Sequence, residues 1–187
     1  MAERTRWQRI AKRVRVPLGF LSAAVFLWLA HSSLLALSGS LLLVLPGLAL
    51  RAYASGYVKK NAELTTSGPY AYTRNPLYLG SLMISLGFGA ASGSWVLLAM
   101  LAALFAAIYV PTIRGEEIYL RAHFSGFNQY VAMVPVLLPR VTPATGMGAG
   151  GEFSQALYLK HREYNAAMGA AAIYGVLLVR LYLQHRR

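Results

Sequence analysis

Apolar residues run from Val16 to Leu50, and again from Asn75 to Ile113, without one charged side chain. Each run is roughly twice the ~20 residues that a single helix needs to cross the hydrocarbon of a bilayer. Small polar residues break each in its middle: His31-Ser32-Ser33 in the first, Ala91-Ser92-Gly93-Ser94 in the second. The pattern predicts two helical hairpins in a membrane. The first goes out from Pro17, placed where the first turn of a helix tolerates proline, to about Ala30, and returns from Leu34 to about Tyr57 with a kink at Pro46-Gly47. The second goes out from Pro76 and returns from Trp95 to Ile113. Ser81, Ser85, Gly89 and Gly93 recur at every fourth residue, as do Ala99, Ala103 and Ala107, and such faces let helices approach closely in lipid. A last apolar stretch, near Tyr164 to Leu183, predicts either a fifth span or a helix packed obliquely on the domain.

Polar segments divide the rest of the chain. Residues 1–15 carry Arg4, Arg6, Arg9, Lys12, Arg13 and Arg15 against Glu3, with Trp7, Ile10, Ala11 and Val14 at helical spacing. This reads as a basic amphipathic helix on an anionic leaflet, in preference to a nucleic-acid-binding arm. Residues 16–140 form the membrane core, 141–151 a Gly-rich linker, and 152–187 a C-terminal helical segment. The expected fold class is all-α, a polytopic membrane protein of four or five spans.

Composition agrees. Of 187 residues 57% are hydrophobic and 13% charged, about half the charge of a soluble domain. Lys and Arg number 18 against 6 acids, all glutamates, for a net charge of +12. The two turns carry no Lys or Arg, whereas the N-terminus, the 51–76 loop and the segment after Ile113 are basic, which orients these polar segments toward the cytoplasm. The same rule argues against a full crossing by the last helix, because Arg180, Arg186 and Arg187 would be exported. With no cysteine, disulfides, thiolate metal sites and cysteine nucleophiles are excluded.

Candidate chemistry lies in two polar clusters that flank the second hairpin: Gly68-Pro69-Tyr70-Ala71-Tyr72-Thr73-Arg74-Asn75-Pro76-Leu77-Tyr78 before it and Arg114-Gly115-Glu116-Glu117 after it. Helical rise places the glutamates on the order of 10 Å beyond Tyr78, with Pro111 bending them back over the loop. A gap of that size suits an elongated, cationic small molecule. Taken one at a time, the same residues have plainer roles as turn signals, an interfacial tyrosine belt and solvated acids.

The string Gly68-Pro69-Tyr70-x-Tyr72-x-Arg74-Asn75-Pro76-x-Tyr78-x-Gly80, a helical hairpin, then Glu116-Glu117, resembles the isoprenylcysteine carboxyl methyltransferase and phospholipid methyltransferase-like family of integral membrane enzymes. Phe124-x-x-Phe127-x-x-Tyr130 and Val134-Pro135-x-x-x-Pro139 look like the family's ending, so the resemblance covers about residues 45 to 140. It implies methyl transfer from S-adenosylmethionine, held at the cytoplasmic face between loop and glutamates, with no metal. Glu116 and Glu117 would hold the cofactor by charge-assisted hydrogen bonds, Tyr70 and Tyr78 would pack on it, and Gly68, Pro69 and Gly80 would let backbone come close. Asn75 would hydrogen-bond cofactor or acceptor, and Arg74 and Arg114 would orient an anionic acceptor head. Prenylcysteine enzymes typically carry histidine where this chain has Asn75, and asparagine does not titrate near neutral pH. The acceptor that the resemblance implies is lipophilic, a carboxylate, amine or thiol, and the sequence does not decide among them. Two other readings remain at this level: an NADPH-dependent membrane reductase of the steroid-reductase type, and a non-catalytic protein that binds membrane lipids. Oligomeric state stays open.

Overall fold

A computed structural model describes residues 6–59, 62–146 and 151–186, and side chains from Pro17 onward except that of His185. The expected basic face of residues 1–15 and the centre of the Gly-rich linker, 147–150, lie outside the described parts. The elements are α1 (Arg6–Leu29), α2 (Leu34–Ser55), α3 (Pro76–Ala91), α4 (Trp95–His123), α5 (Phe127–Met133), α6 (Gln155–His161) and α7 (Tyr164–His185), with a 3-10 turn over Gly68–Ala71. The described residues contain no strand, and the protein is all-α as expected. Three helices are long and apolar enough to cross a membrane, Leu34–Ser55, Trp95–His123 and Tyr164–Gln184, whereas Pro17–Leu29 and Pro76–Ala91 are shorter apolar stretches.

The residues that interrupt the apolar runs make both turns. Ser33 caps α2 by accepting from the Ala36 amide, and Ser94 caps α4 by accepting from the Leu97 amide, each satisfying an amide that a helix start leaves without a partner. His31 N donates to Ser92 O at 2.9 Å, joining one turn to the other. We call this the turn end of the bundle and the opposite side the loop end. Three expectations are corrected. Pro17 lies inside α1, which is continuous from Arg6. Helix α4 runs through Pro111 and Arg114 to His123, past the end at Ile113 expected for the returning helix. The close-packing face differs as well. Gly47 and Gly80 meet where α2 crosses α3, and a Cβ on Gly80 would lie 2.7 Å from Gly47 O. Gly87, seven residues on, rests against Val44 in the same way, whereas Gly89 faces Leu98 of α4. Ala99, Ala103 and Ala107 face outward.

Helix α1 packs on α4, and α7 lies against α1 and α2. At the loop end Glu163, which precedes α7, pairs with Arg51 of α2 at 2.7 Å. At the turn end Leu177 and Leu181 join Phe26, Ala30, Leu37, Ala91 and Leu97 in one core, and Arg180 donates to the carbonyls of Leu27 and Trp28. Helix α7 therefore extends from one end of the bundle to the other. Its arginine meets the carbonyls that the end of α1 leaves unbonded, a favourable place for a cation.

After α4 the chain turns back through α5, and residues 134–144 form a strap along the 68–75 loop. Arg74 N donates to Pro135 O, Arg140 N to Tyr72 O and Ala144 N to Ala71 O, each at 2.9 Å. Beneath the strap Phe127, Tyr130 and Val134 make a small core with Leu64, Leu120 and Phe124.

Candidate active site

The loop begins at Gly68, whose φ of +57° is one that glycine adopts without strain, and Pro69 starts the 3-10 turn that carries Tyr70 inward. Tyr70 is buried, and its carbonyl accepts from the Tyr130 hydroxyl at 2.8 Å. Thr73 Oγ1 donates to Leu137 O at 3.0 Å and Asn75 Nδ2 to Val136 O at 2.9 Å. The strap therefore fixes the side chains on either side of Arg74. Burial pushes the Tyr70 and Tyr130 phenols above their ordinary range, so both stay protonated at neutral pH.

Two side-chain clips join this loop to α4. The Tyr78 hydroxyl donates to Glu116 Oε1 at 2.7 Å, and Arg74 Nη2 stands 2.9 Å from Glu117 Oε1. The open gap expected between loop and glutamates is thus closed, because a tyrosine and an arginine reach across the offset that helical rise creates. The second clip is incomplete. Arg74 is 8% exposed, its Nη1 donates to Val131 O, and its Nε has no hydrogen-bond partner. Glu117 Oε1 is close to the guanidinium but out of line for a hydrogen bond. Buried charged atoms without hydrogen bonds are costly, and each calls for an explanation.

Beneath the clips Tyr78 meets Tyr109 edge to face at 5.2 Å, and Tyr109 stacks on Phe105 at 4.4 Å. Tyr109 tops a cavity of about 210 Å³ lined by α1, α3, α4 and α7, with Phe26, Phe88, Leu101 and Ile173 among its walls. Of the predicted site residues, Arg74, Tyr78, Glu116 and Glu117 come together, with Asn75 held beside them. Arg114 stands exposed on α4, and no hydrogen bond or ion pair among the described residues links it to the cluster. Gly68 and Pro69 line a separate cleft with Tyr53, Tyr72 and Met83, and the close approach that Gly80 permits is that of Gly47. Sequence reasoning missed Arg51, whose Nε and Nη2 both donate to Glu163 Oε2, at 3.0 and 2.7 Å. The available signal was position: Arg51 ends the first uncharged run, and Glu163 opens the last apolar helix. No three His, Asp or Glu residues gather as a metal site among the described residues.

A sequence profile of the phospholipid methyltransferase family matches residues 14–126, more than half of the chain. The chain belongs to this family. The match takes in the 68–78 loop and both glutamates, while α5, the strap, α6 and α7 lie beyond it. Over 90 residues the chain is 41% identical to the cobalt-zinc-cadmium resistance protein CzcN of Cupriavidus metallidurans and 39% identical to the nickel-cobalt-cadmium resistance protein NccN of Alcaligenes xylosoxydans xylosoxydans. Each match covers 48% of this chain and 41% of the relative, so the chain spans about two-fifths of the length of the curated relatives it matches. No solved structure matches the chain.

Proposed function

We propose that this phospholipid methyltransferase family member transfers a methyl group from S-adenosylmethionine to a lipophilic acceptor at the loop end of the bundle, on the cytoplasmic side of the membrane. The observation that carries the reading is the incomplete clip. A buried guanidinium with an unbonded Nε, beside a buried carboxylate oxygen that is out of line, offers a donor and an acceptor to one ligand that bears both signs. S-adenosylmethionine has a carboxylate for Arg74 and an ammonium for Glu117, while Glu116, held by Tyr78, is placed to accept from the ammonium or a ribose hydroxyl.

When bound, the cofactor supplies an electrophilic methyl carbon whose bond to sulfur breaks as the acceptor's lone pair attacks in line, leaving neutral S-adenosylhomocysteine. The protein's part is placement and exclusion of water. Arg74 and the glutamates fix one end of the ligand. Tyr78 and Tyr109 separate that end from the apolar cavity below, which suits the tail of a lipophilic acceptor. Asn75, with its amide nitrogen committed to Val136 O, orients by hydrogen bonding and moves no proton. A carboxylate or thiolate acceptor needs no base, whereas an amine must reach the site deprotonated.

The test is transfer of tritium from methyl-labelled S-adenosylmethionine into organic-extractable product, using membranes that contain the parent or the Glu116→Gln variant. Label that depends on the parent supports the reading. Equal label with parent and variant contradicts it, and NADPH-dependent turnover would favour the reductase alternative.

A further inference from the structure

We infer that Glu163, beyond the matched family region, is a positioning residue for the Tyr78–Glu116 clip and acts through Arg51. The Arg51 guanidinium is used on both sides. Its Nε and Nη2 hold Glu163, while Nη1 donates to Leu77 O at 3.2 Å and to Ser81 Oγ. Leu77 O belongs to the peptide unit that leads into Tyr78, so one planar group ties the start of α7 to the backbone that aims the Tyr78 ring. Both partners are largely shielded, with Arg51 22% and Glu163 13% exposed, and the planar fork of arginine leaves little freedom once several of its donors are engaged.

Tyr70 shows that this pair and the clip share one electrostatic neighbourhood. Burial is the main reason that its phenol is raised, followed by Tyr130, and the carboxylates of Glu116 and Glu163 push in the same direction against Arg51. A purely mechanical role for Glu163, holding α7 in place, would leave Tyr78 indifferent to its charge. Helix α7 has a second tie, Tyr174 OH to Ser40 Oγ at 2.6 Å, which does not involve Arg51 and serves as the control.

The experiment places 3-fluorotyrosine at position 78 of the full chain in detergent and records its fluorine resonance without ligand. Glu163→Gln and Arg51→Lys shift or broaden the resonance, as Glu116→Gln does; Glu163→Asp restores it in part; Tyr174→Phe leaves it in place. An unmoved resonance in Glu163→Gln and Arg51→Lys, or an equal change in Tyr174→Phe, overturns the inference. A second readout rests on the methyltransferase reading. Glu163→Gln weakens S-adenosylhomocysteine binding on the order of fivefold in the parent and has no further effect in a Tyr78→Phe background. Additive losses overturn the inference. A parent that binds no S-adenosylhomocysteine counts against the methyltransferase reading alone, and the fluorine resonance still decides the role of Glu163.

Discussion

The two ends of the helical bundle solve the same problem differently. At the turn end, helices start and stop on neutral groups: Ser33 and Ser94 cap α2 and α4, Ser92 Oγ accepts from Ser94 N, and the cation that enters the bundle, Arg180, is spent on the carbonyls of α1. Among the described residues, the buried side-chain atom without a hydrogen bond at this end is the hydroxyl of Ser32. At the loop end charged side chains join the segments, and among the described residues the buried atoms without a hydrogen bond are Arg74 Nε and Glu117 Oε1, the latter ion-paired to Arg74 Nη2 at 2.9 Å. A buried hydroxyl without a hydrogen bond costs less than a buried charged group with incomplete hydrogen bonding. The proposed cofactor site rests on this contrast between neutral caps at one end and partly unbonded charged side chains at the other.

The largest break in this comparison comes from truncating a charged partner. Glu117→Ala strands Arg74 and lowers unfolding free energy by about 3 kcal/mol, whereas Ser32→Ala at the turn end stays within about 0.5 kcal/mol. Denaturant unfolding in detergent measures both. Glu117→Gln keeps the volume and some hydrogen bonding, and is the variant for ligand work. Next is Gly80→Ala, whose methyl group meets the Gly47 carbonyl. It costs about 2 kcal/mol, while Gly169→Ala, inside α7 with nothing within 4 Å, stabilises by up to about 1 kcal/mol in the same assay. Tyr78→Phe removes one hydrogen bond to a carboxylate. It lowers stability by about 1 kcal/mol and weakens S-adenosylhomocysteine binding several-fold by titration.

The smallest effect is alkaline. The Tyr70 and Tyr130 phenols are raised above their ordinary value of 10.0 in the folded chain, so folding disfavours their ionised forms. The stability this confers is complete below pH about 10 and declines as pH rises beyond it toward the folded values. Tyr130→Phe, measured across pH 9 to 12, flattens that decline.

Much of this was legible in the sequence, for physical reasons that differ by region. Both turns were readable because polar and small residues inside an apolar run have few other uses in a bilayer. The loop motif and both glutamates were readable because their residue types carry chemistry. The packing face was not. In lipid every side of a helix is apolar, and periodicity does not say that Gly80 and Gly87 make the close backbone approach to α2 while Gly89 of the Ser81–Gly93 series turns to α4. The closed gap was missed because a rise per residue measures backbone, and the reach of Arg74 and Tyr78 lies in side chains. Arg51 and Glu163 are 112 residues apart, and a single ion pair at that separation leaves no local pattern.

The central claim is that Arg74, Tyr78, Glu116 and Glu117 form a cofactor site. Its most direct test is calorimetric titration of S-adenosylhomocysteine into the detergent-purified parent and into Glu116→Gln and Glu117→Gln, with NADPH as the counter-ligand. The account predicts saturable binding of S-adenosylhomocysteine to the parent, loss of at least tenfold in affinity in each variant, and no heat from NADPH. A folded parent that takes up NADPH and ignores S-adenosylhomocysteine, or variants that bind as the parent does, would contradict it.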